Sequence, residues 1–203
     1  MTLDDIAKKH QTDKSSLAHG YCDIYERYFG HLRDEKINLL EIGVQFGLSI
    51  QTWQEFFHNG EIYGVDLVEN FRSDNPHVHL FQGDASHAAF WNGFARGVNF
   101  DIIVEDSNHL ASTHQIVLQS LWPRLKPGGF LIFEDVFTHF DPHFYSEVDG
   151  VLWLGNIYGA LNLNGQRYHG KPVPVKELAL TTLERELDCV HLYFGLVILH
   201  KKP

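Results

Sequence analysis

Short apolar runs alternate with amphipathic stretches along most of this chain. The runs have the length of buried strands and predict five of them, at 37–42, 61–66, 78–81, 100–104 and 130–133. Apolar residues at helical spacing predict helices over 48–58, 86–96 and 111–125. Strands that alternate with helices predict an α/β fold with a mostly parallel sheet and helices on both of its faces.

The first 35 residues precede this alternating pattern. Residues 1–35 carry two apolar and aromatic stripes at helical spacing, separated by a polar break at 12–16. They predict an N-terminal helical segment in front of a main domain at 36–203. The pattern leaves two roles open for this segment, a lid over a binding site or a helical pair that only covers the sheet.

The last third of the chain has a less regular pattern. Residues 150–162 favour a helix and residues 164–174 a loop. The final apolar run, 190–200, has the length of two strands and contains Phe194 and Gly195 at its centre. It predicts an antiparallel terminal hairpin that turns at this pair.

Composition narrows the classes of function. The 203 residues contain 16 Lys and Arg against 26 Asp and Glu, a net charge of −10, which disfavours a nucleic-acid partner. Two cysteines are too few for a disulfide framework. The N-terminus lacks a signal-peptide pattern, and no apolar run has the length of a membrane span. We therefore expect a cytoplasmic protein with no membrane partner.

Glycines and acids recur where the first predicted strands end. Glu41, Gly43 and Gly47 lie between the first strand and its helix, where glycine lets the backbone approach a ligand closely. Asp66 and Asp84 follow the next two strands, in the positions for a ribose diol and an adenine. The glycine spacing differs from the pyrophosphate-binding pattern, so a ligand with ribose and base but no phosphate, S-adenosylmethionine, fits. For any one acid a solvated strand end or a helix cap is the favoured interpretation, and it is the recurrence of acids at successive strand ends that favours the cofactor site.

Four short motifs together carry a family resemblance. They are Leu39-Leu-Glu-Ile-Gly-Val-x-x-Gly, Tyr63-Gly-Val-Asp, Gln82-Gly-Asp-Ala and Leu125-Lys-Pro-Gly-Gly. In this order they resemble the class I S-adenosylmethionine-dependent methyltransferases. The resemblance implies a Rossmann-like, seven-stranded sheet with a reversed last strand. It also implies a set of cofactor-binding residues, namely Glu41, Gly43, Gly47, Asp66, Asp84 and Asp106.

A second group of polar residues follows strands four and five. Asp106 and His109 come after the fourth strand, and Glu134 and Asp135 directly after the fifth. Carboxylates that converge at one sheet edge suit a hard cation such as Mg²⁺ or another divalent ion. Such an ion lowers the pKa of a hydroxyl that it holds, and a nearby histidine can take the proton. The alternatives are a capped turn at Glu134 and Asp135, and a surface histidine at 109.

These residues resemble the macrolide and sugar O-methyltransferases of antibiotic biosynthesis. The motifs shared with that family are Asp106-x-x-His109, Glu134-Asp135 and the early Thr12-Asp-Lys. The resemblance implies Asp106, Glu134 and Asp135 as metal ligands and His109 as the catalytic base. The acceptor would be a small molecule with a sugar hydroxyl, and a homo-oligomer is compatible with the family.

Some members of that family carry a large additional N-terminal domain, for which 203 residues leave no room. We therefore expect a smaller glycoside or another polyol as acceptor. Two further hypotheses remain open, a catechol-type aromatic O-methyltransferase and a non-catalytic module that binds S-adenosylmethionine. A base at His109 favours the sugar, since an alkanol is less acidic than a phenol, and the complete acid and histidine set argues against the module.

Overall fold

The computed structural model describes residues 1–165 and 181–203. Its helices are α1 (Leu3–His10), α2 (Tyr21–Phe29), α3 (Leu48–Phe56), α4 (Ala88–Gly93), α5 (Ala111–Leu121), α6 (Gly150–Gly165) and α7 (Thr182–Glu186). Its strands are β1 (Asn38–Ile42), β2 (Glu61–Asp66), β3 (Val78–Gln82), β4 (Phe100–Glu105), β5 (Leu125–Phe133), β6 (Leu187–Tyr193) and β7 (Leu196–Lys201). None of the helices in this part of the chain is long and apolar enough to cross a bilayer.

The strands form one sheet in the order β3-β2-β1-β4-β5-β7-β6. Strands β1 to β5 are parallel, whereas β7 is antiparallel to both β5 and β6. This arrangement confirms the predicted Rossmann-like sheet with a reversed terminal hairpin. The direction of winding reverses between β1 and β4, and in open α/β sheets ligands bind at the carboxyl ends of the strands beside such a reversal.

Both faces of the sheet are covered, as predicted. Helices α1, α2 and α3 bury one face with a core that includes Tyr25, Phe29 and Trp53. Helices α4, α5 and α6 bury the other face with a core that includes Trp91 and Trp153. Two separate apolar layers therefore hold the sheet rigid and leave its carboxyl edge open to ligands.

The N-terminal segment is packed into the first of these cores. Thr2 caps α1 through a reciprocal pair of hydrogen bonds with Asp5, and the apolar face of the helix is buried. Leu3, Ile6 and Ala7 belong to the same cluster as the residues of α3. Residues 1–35 thus cover the sheet, and a lid movement of this segment stays a prediction.

Some predicted boundaries were wrong, for local reasons. Helix α5 ends at Leu121 and not at residue 125, because Pro123 lies in a short 3₁₀ turn that follows it. The Pro-Gly-Gly tract lies inside β5, where the pairing register with β4 shifts and Gly128 takes φ +74°. The glycines therefore allow an irregularity within a strand rather than a turn before it.

The terminal hairpin is confirmed, and its turn contains Gly195 with φ +77°. Helix α6 includes the predicted 150–162 helix, whereas the five-residue α7 was not predicted. Most of the loop predicted at 164–174 lies outside the described residues.

Candidate active site

The carboxyl ends of the parallel strands are aligned by backbone hydrogen bonds from one strand end to the next. The N–H of Asp106, after β4, donates to the carbonyl of Ile42 in β1 at 2.8 Å. The N–H of Glu134, after β5, donates to the carbonyl of Glu105 in β4 at 2.9 Å. Residues that are distant in sequence thus meet at one edge, as the strand order requires.

Three of the predicted residues converge at this edge. Donor atoms of Asp106, His109 and Asp135 all lie within 4.8 Å of one another. His109 Nδ1 is 3.9 Å from Asp106 Oδ1, and His109 Nε2 is 3.9 Å from Asp135 Oδ2. The imidazole therefore lies between two carboxylates, too far from either for a direct hydrogen bond.

The backbone at this cluster is held in an unusual conformation. His109 and Asp135 both have positive φ, +57° and +52°, which non-glycine residues rarely adopt. The Oγ1 hydroxyl of buried Thr138 lies 2.8 Å from the carbonyl oxygens of both residues. Thr138, which sequence reasoning did not identify, thus connects the two backbone segments that present the cluster.

The donor set fits a divalent cation. Asp106 Oδ1 and Asp135 Oδ2 face the same imidazole, while the other oxygen of each carboxylate contacts Lys14 or Tyr21. Within the described chain, the buried His109 Nδ1 has no hydrogen-bond partner. Unengaged carboxylate oxygens suit Mg²⁺, and an orphaned buried nitrogen indicates that a further group belongs here.

Glu134 faces a different partner. Its side chain is 2% exposed, and it accepts hydrogen bonds from Lys14 Nζ at 2.8 Å and from the Tyr25 hydroxyl at 2.5 Å. Lys14 also forms an ion pair with Asp106 and lies 3.6 Å from Glu41. Burial and the charge of Asp106 raise the pKa of Glu134 well above its ordinary value, against the opposing effect of Lys14.

Lys14 is thus the central cation of a buried network, although sequence reasoning assigned it no role. The sequence feature that could have indicated such a role is the position of Lys14 in the Thr12-Asp-Lys motif. Tyr21 and Tyr25, which belong to an aromatic stripe of the early segment that resembles the family, donate hydrogen bonds from their hydroxyls to Asp135 and Glu134. Segment 1–35 therefore supplies one wall of the site.

The predicted cofactor-binding residues lie along the same edge, and several have partners within the protein. Buried Glu41 accepts hydrogen bonds from Ser49 and Trp53, and burial raises its pKa. One oxygen of Asp66 accepts from the backbone N–H groups of Val44 and Gln45, at 2.8 and 2.7 Å. Asp66 therefore holds the loop after β1, and its contact with a ribose stays a prediction.

The two glycines of this loop permit close approaches. Gly43 has φ +97°, and a Cβ placed there would lie 2.0 Å from the carbonyl oxygen of Asp106. Gly47 has φ +74°, and a Cβ placed there would overlap the ring of Phe71. Glycine at position 43 therefore lets the loop after β1 contact the loop after β4. The fold itself requires this contact, whether or not a ligand binds nearby.

Two adjoining cavities run along this edge. One, of about 270 Å³, is lined by Thr12, Lys14, Asp66, Asp106, His109 and Asp135 among others. The other, of about 220 Å³, is lined by Asp66, Gly83, Asp84 and Asn108 among others. They share Gly43, Asp66 and Ser107 in their walls, so an elongated ligand could extend from Asp84 to the carboxylate cluster. Asp84 itself accepts hydrogen bonds from Ser86.

A buried chain of ionisable groups lies behind the cluster. Glu105 Oε2 is 2.6 Å from His114 Nε2, and His114 Nδ1 is 3.0 Å from His139 Nε2. Burial, together with the neighbouring His114, lowers the pKa of His139 to about 4. The ordinary pKa of a histidine in an unfolded chain is about 6.5. Between about pH 6.5 and 4 the unfolded chain therefore binds a proton at residue 139 that the folded protein does not bind.

We therefore expect the free energy of unfolding to decrease as the pH falls from about 6.5 to 4. The contribution of His139 should be fully present above pH 6.5 and amount to about 2–3 kcal/mol. Urea unfolding across this range checks it, with His139→Gln as the variant, because glutamine can still donate to His114. If the variant and the parent lose stability equally over this window, His139 is not the group responsible.

Comparisons with known proteins identify similar methyltransferases. Residues 40–136 match the family model described as a methyltransferase domain. The chain is 31% identical over 211 residues to 8-demethyl-8-(2-methoxy-alpha-L-rhamnosyl)-tetracenomycin-C 3'-O-methyltransferase of Streptomyces olivaceus, covering 98% of this chain and 53% of that protein. It is 30% identical over 167 residues to mycinamicin VI 2''-O-methyltransferase of Micromonospora griseorubida, covering 78% and 42%.

The fold agrees as well. The structure of the MycE methyltransferase from the mycinamycin biosynthetic pathway, in complex with Mg and SAH, superposes with a TM-score of 0.87. The two are 26% identical, and the match covers all of this chain and 55% of that one. This chain therefore spans about half the length of the relatives it matches. By sequence and by fold, this chain carries a methyltransferase domain over residues 40–136 and is similar to sugar O-methyltransferases of antibiotic biosynthesis.

Proposed function

We propose that this protein is an S-adenosylmethionine-dependent, divalent-metal-assisted O-methyltransferase that acts on a hydroxyl of a sugar moiety or small natural product. The observation that carries this proposal is the convergence of Asp106, His109 and Asp135 beside a cavity that continues to Asp66. The relatives named above are 2''- and 3'-O-methyltransferases, and one carries a rhamnosyl group in its substrate name. A glycoside or polyol is therefore the acceptor class that we propose.

The two adjoining cavities would hold the methyl donor. Asp84 and Asp66 line its proposed adenosine end, and Asp106 lies towards the end that carries the reactive methyl group. S-adenosylmethionine supplies an electrophilic methyl group. The contribution of this chain is to orient donor and acceptor, because methyl transfer is an in-line displacement whose rate depends on alignment.

Asp106 and Asp135 would hold the cation, whereas Glu134, the third predicted ligand, is engaged by Lys14 and Tyr25. A bound Mg²⁺ lowers the pKa of the acceptor hydroxyl and fixes its orientation. His109 is placed to accept the proton from that hydroxyl, since its imidazole borders the cavity and lies between the two aspartates. Tyr21 and Asp135 keep this side of the site fixed through a 2.6 Å hydrogen bond.

The test is a methyl-transfer assay against a panel of glycosides, polyols and catechols. Transfer to a glycoside or polyol should disappear with a chelator and return with Mg²⁺. Preference for catechols would overturn the acceptor class, and full activity in chelator would overturn the metal. No transfer to any acceptor, despite binding of S-adenosylmethionine by calorimetry, would favour the non-catalytic module.

His109→Ala should lower turnover about 100-fold or more, the usual contribution of a general base, while donor binding is retained. His58→Ala is the matched control, because His58 is an exposed histidine paired at 3.7 Å with Asp34 away from the site. Turnover and its pH profile are measured for both variants beside calorimetric binding of S-adenosylhomocysteine. Equal turnover in the two variants would remove His109 as the base.

A further inference from the structure

A second cluster of metal-ligating side chains lies on the terminal hairpin. Cys189 and His191 are two residues apart in β6 and project to the same face, and Cys189 is paired directly with His200 in β7. Donor atoms of Asp188, Cys189 and His200 lie within 4.8 Å of one another. Cys189 Sγ is also 3.1 Å from His191 Nε2. One sulfur, one imidazole and one carboxylate therefore meet at one point of the sheet, and the imidazole of His191 contacts the same sulfur.

A β-bulge brings the carboxylate to this face. In a regular strand Asp188 would point away from Cys189, because neighbouring side chains alternate between faces. The pairing register of β6 with β7 shifts between Leu187 and Cys189, so Asp188 is the extra residue. Its Oδ2 can then reach His200 Nδ1, at 3.1 Å. Bulges of this kind commonly re-aim a side chain towards a functional site.

Aromatic rings hold the two histidines in place. His200 stacks on Phe130, with ring centroids 4.7 Å apart, and His191 meets the edge of Tyr28 at 5.3 Å. The hydroxyl of Tyr28 is in turn 2.8 Å from that of Tyr193. The two imidazoles are therefore partly sheltered from solvent and restrained in orientation, whereas Asp188 is exposed.

This cluster is separate from the candidate active site. His200 is paired with Phe130, three residues before Phe133 at the carboxyl end of β5. Three residues of strand correspond to roughly 10 Å along the sheet. The hairpin cluster also differs chemically, because a thiol and two imidazoles select softer ions than carboxylates do.

We propose that Asp188, Cys189 and His200 bind a Zn²⁺-class transition-metal ion, with His191 as the fourth ligand. Four ligands of nitrogen, sulfur and oxygen type match the tetrahedral coordination of zinc in proteins. Binding releases the proton of the Cys189 thiol to solvent, since the thiolate is the ligand. The ion would join β6 to β7 and stabilise the edge of the sheet, independently of methyl transfer.

The test uses Co²⁺ as a spectroscopic probe on the full chain, stripped of metal with a chelator and dialysed. One equivalent of Co²⁺ should produce a near-ultraviolet thiolate charge-transfer band and visible bands of tetrahedral cobalt, and Zn²⁺ should abolish them. Excess Mg²⁺ should not, because carboxylate and water ligands suit Mg²⁺ better than a thiolate does. Zn²⁺ should also raise the melting temperature of the parent protein.

Cys189→Ser should remove the thiolate band, and Asp188→Asn should weaken Co²⁺ binding at least tenfold. Cys22→Ala is the matched control, because Cys22 is the other free cysteine and is fully buried in the core. Asp135→Asn should keep the band, which separates this site from the proposed catalytic cation. Absence of a band in the folded parent protein, or its persistence in Cys189→Ser, would overturn the proposal.

Discussion

Replacing Lys14 by methionine should lower the free energy of unfolding by about 3–5 kcal/mol, because it leaves buried carboxylates without their cation. The ammonium contacts Glu134 at 2.8 Å, Glu41 at 3.6 Å and Asp106 more closely still, and its side chain is 2% exposed. Burial by itself would lower the pKa of Lys14, but these three charges raise it well above its ordinary value. Lys14 therefore remains charged in the folded protein.

The same substitution should abolish most of the proposed activity. Without the ammonium, Asp106 and Glu134 cannot both remain ionised at the edge where the cation and the acceptor are proposed to bind, so the orientation of both carboxyl groups is lost. Adding Glu134→Gln to Lys14→Met should restore part of the stability by removing one buried carboxyl group that has lost its cation. The coupling energy from this double-mutant cycle measures the pair itself.

Lys9→Met is the matched control for both measurements. Lys9 is also a lysine of the N-terminal segment paired with a glutamate, Glu55 at 2.7 Å, but its side chain is 57% exposed. An exposed pair contributes at most about 1 kcal/mol, so this variant should unfold almost as the parent does. Urea unfolding and methyl transfer are measured for the parent and for each variant. Equal losses of stability and activity in Lys9→Met and Lys14→Met would show that the buried network around Lys14 does not stabilise the site.

Gly43→Ala should cost more than about 2 kcal/mol of folding stability, because its φ of +97° disfavours a side chain and the new Cβ would collide with backbone. The obstacle is the carbonyl oxygen of Asp106, 2.0 Å away, which cannot move as a flexible side chain would. The loop after β1 must then separate from the loop after β4. Since both loops line the proposed donor cavity, binding of S-adenosylhomocysteine should weaken as well.

Gly155→Ala provides the control for a glycine substitution as such. Gly155 lies within α6, has open space around its Cβ position and has no positive φ, so alanine should stabilise the helix by about 0.5–1 kcal/mol. Unfolding curves and calorimetric binding of S-adenosylhomocysteine distinguish the two changes. If Gly43→Ala binds this ligand and unfolds like the parent, the contact between the two loops is not required for the site.

The strands could be predicted because buried strands appear in the sequence as short runs of apolar residues. Strand β2 has the predicted bounds, and the terminal hairpin turns at the predicted Gly195. The pattern of apolar and polar residues could not show that Lys126-Pro-Gly-Gly lies within β5. The same residues are found both in turns and at irregularities within a strand. That choice depends on pairing with β4, which is a long-range contact.

The site was predictable to the extent that acids following parallel strands must meet at one edge. Asp106, His109 and Asp135 do so. Glu134 was predicted as one of the same ligand set, yet its neighbours are Lys14 and Tyr25. Consecutive residues after a strand diverge in direction, and Asp135 has positive φ, so the positions of Glu134 and Asp135 in sequence could not show which of them faces the cavity.

The sequence by itself determined the order of strands and helices, the reversed hairpin and the edge at which polar groups collect, because these follow from local periodicity and from the rules of parallel sheets. Only the tertiary structure decided which charges neutralise one another. Lys14 is 92 residues from Asp106 and 120 from Glu134 along the chain, and packing of the N-terminal helices against the sheet brings them together. No local pattern records such a pairing, because it depends on the geometry of the whole fold.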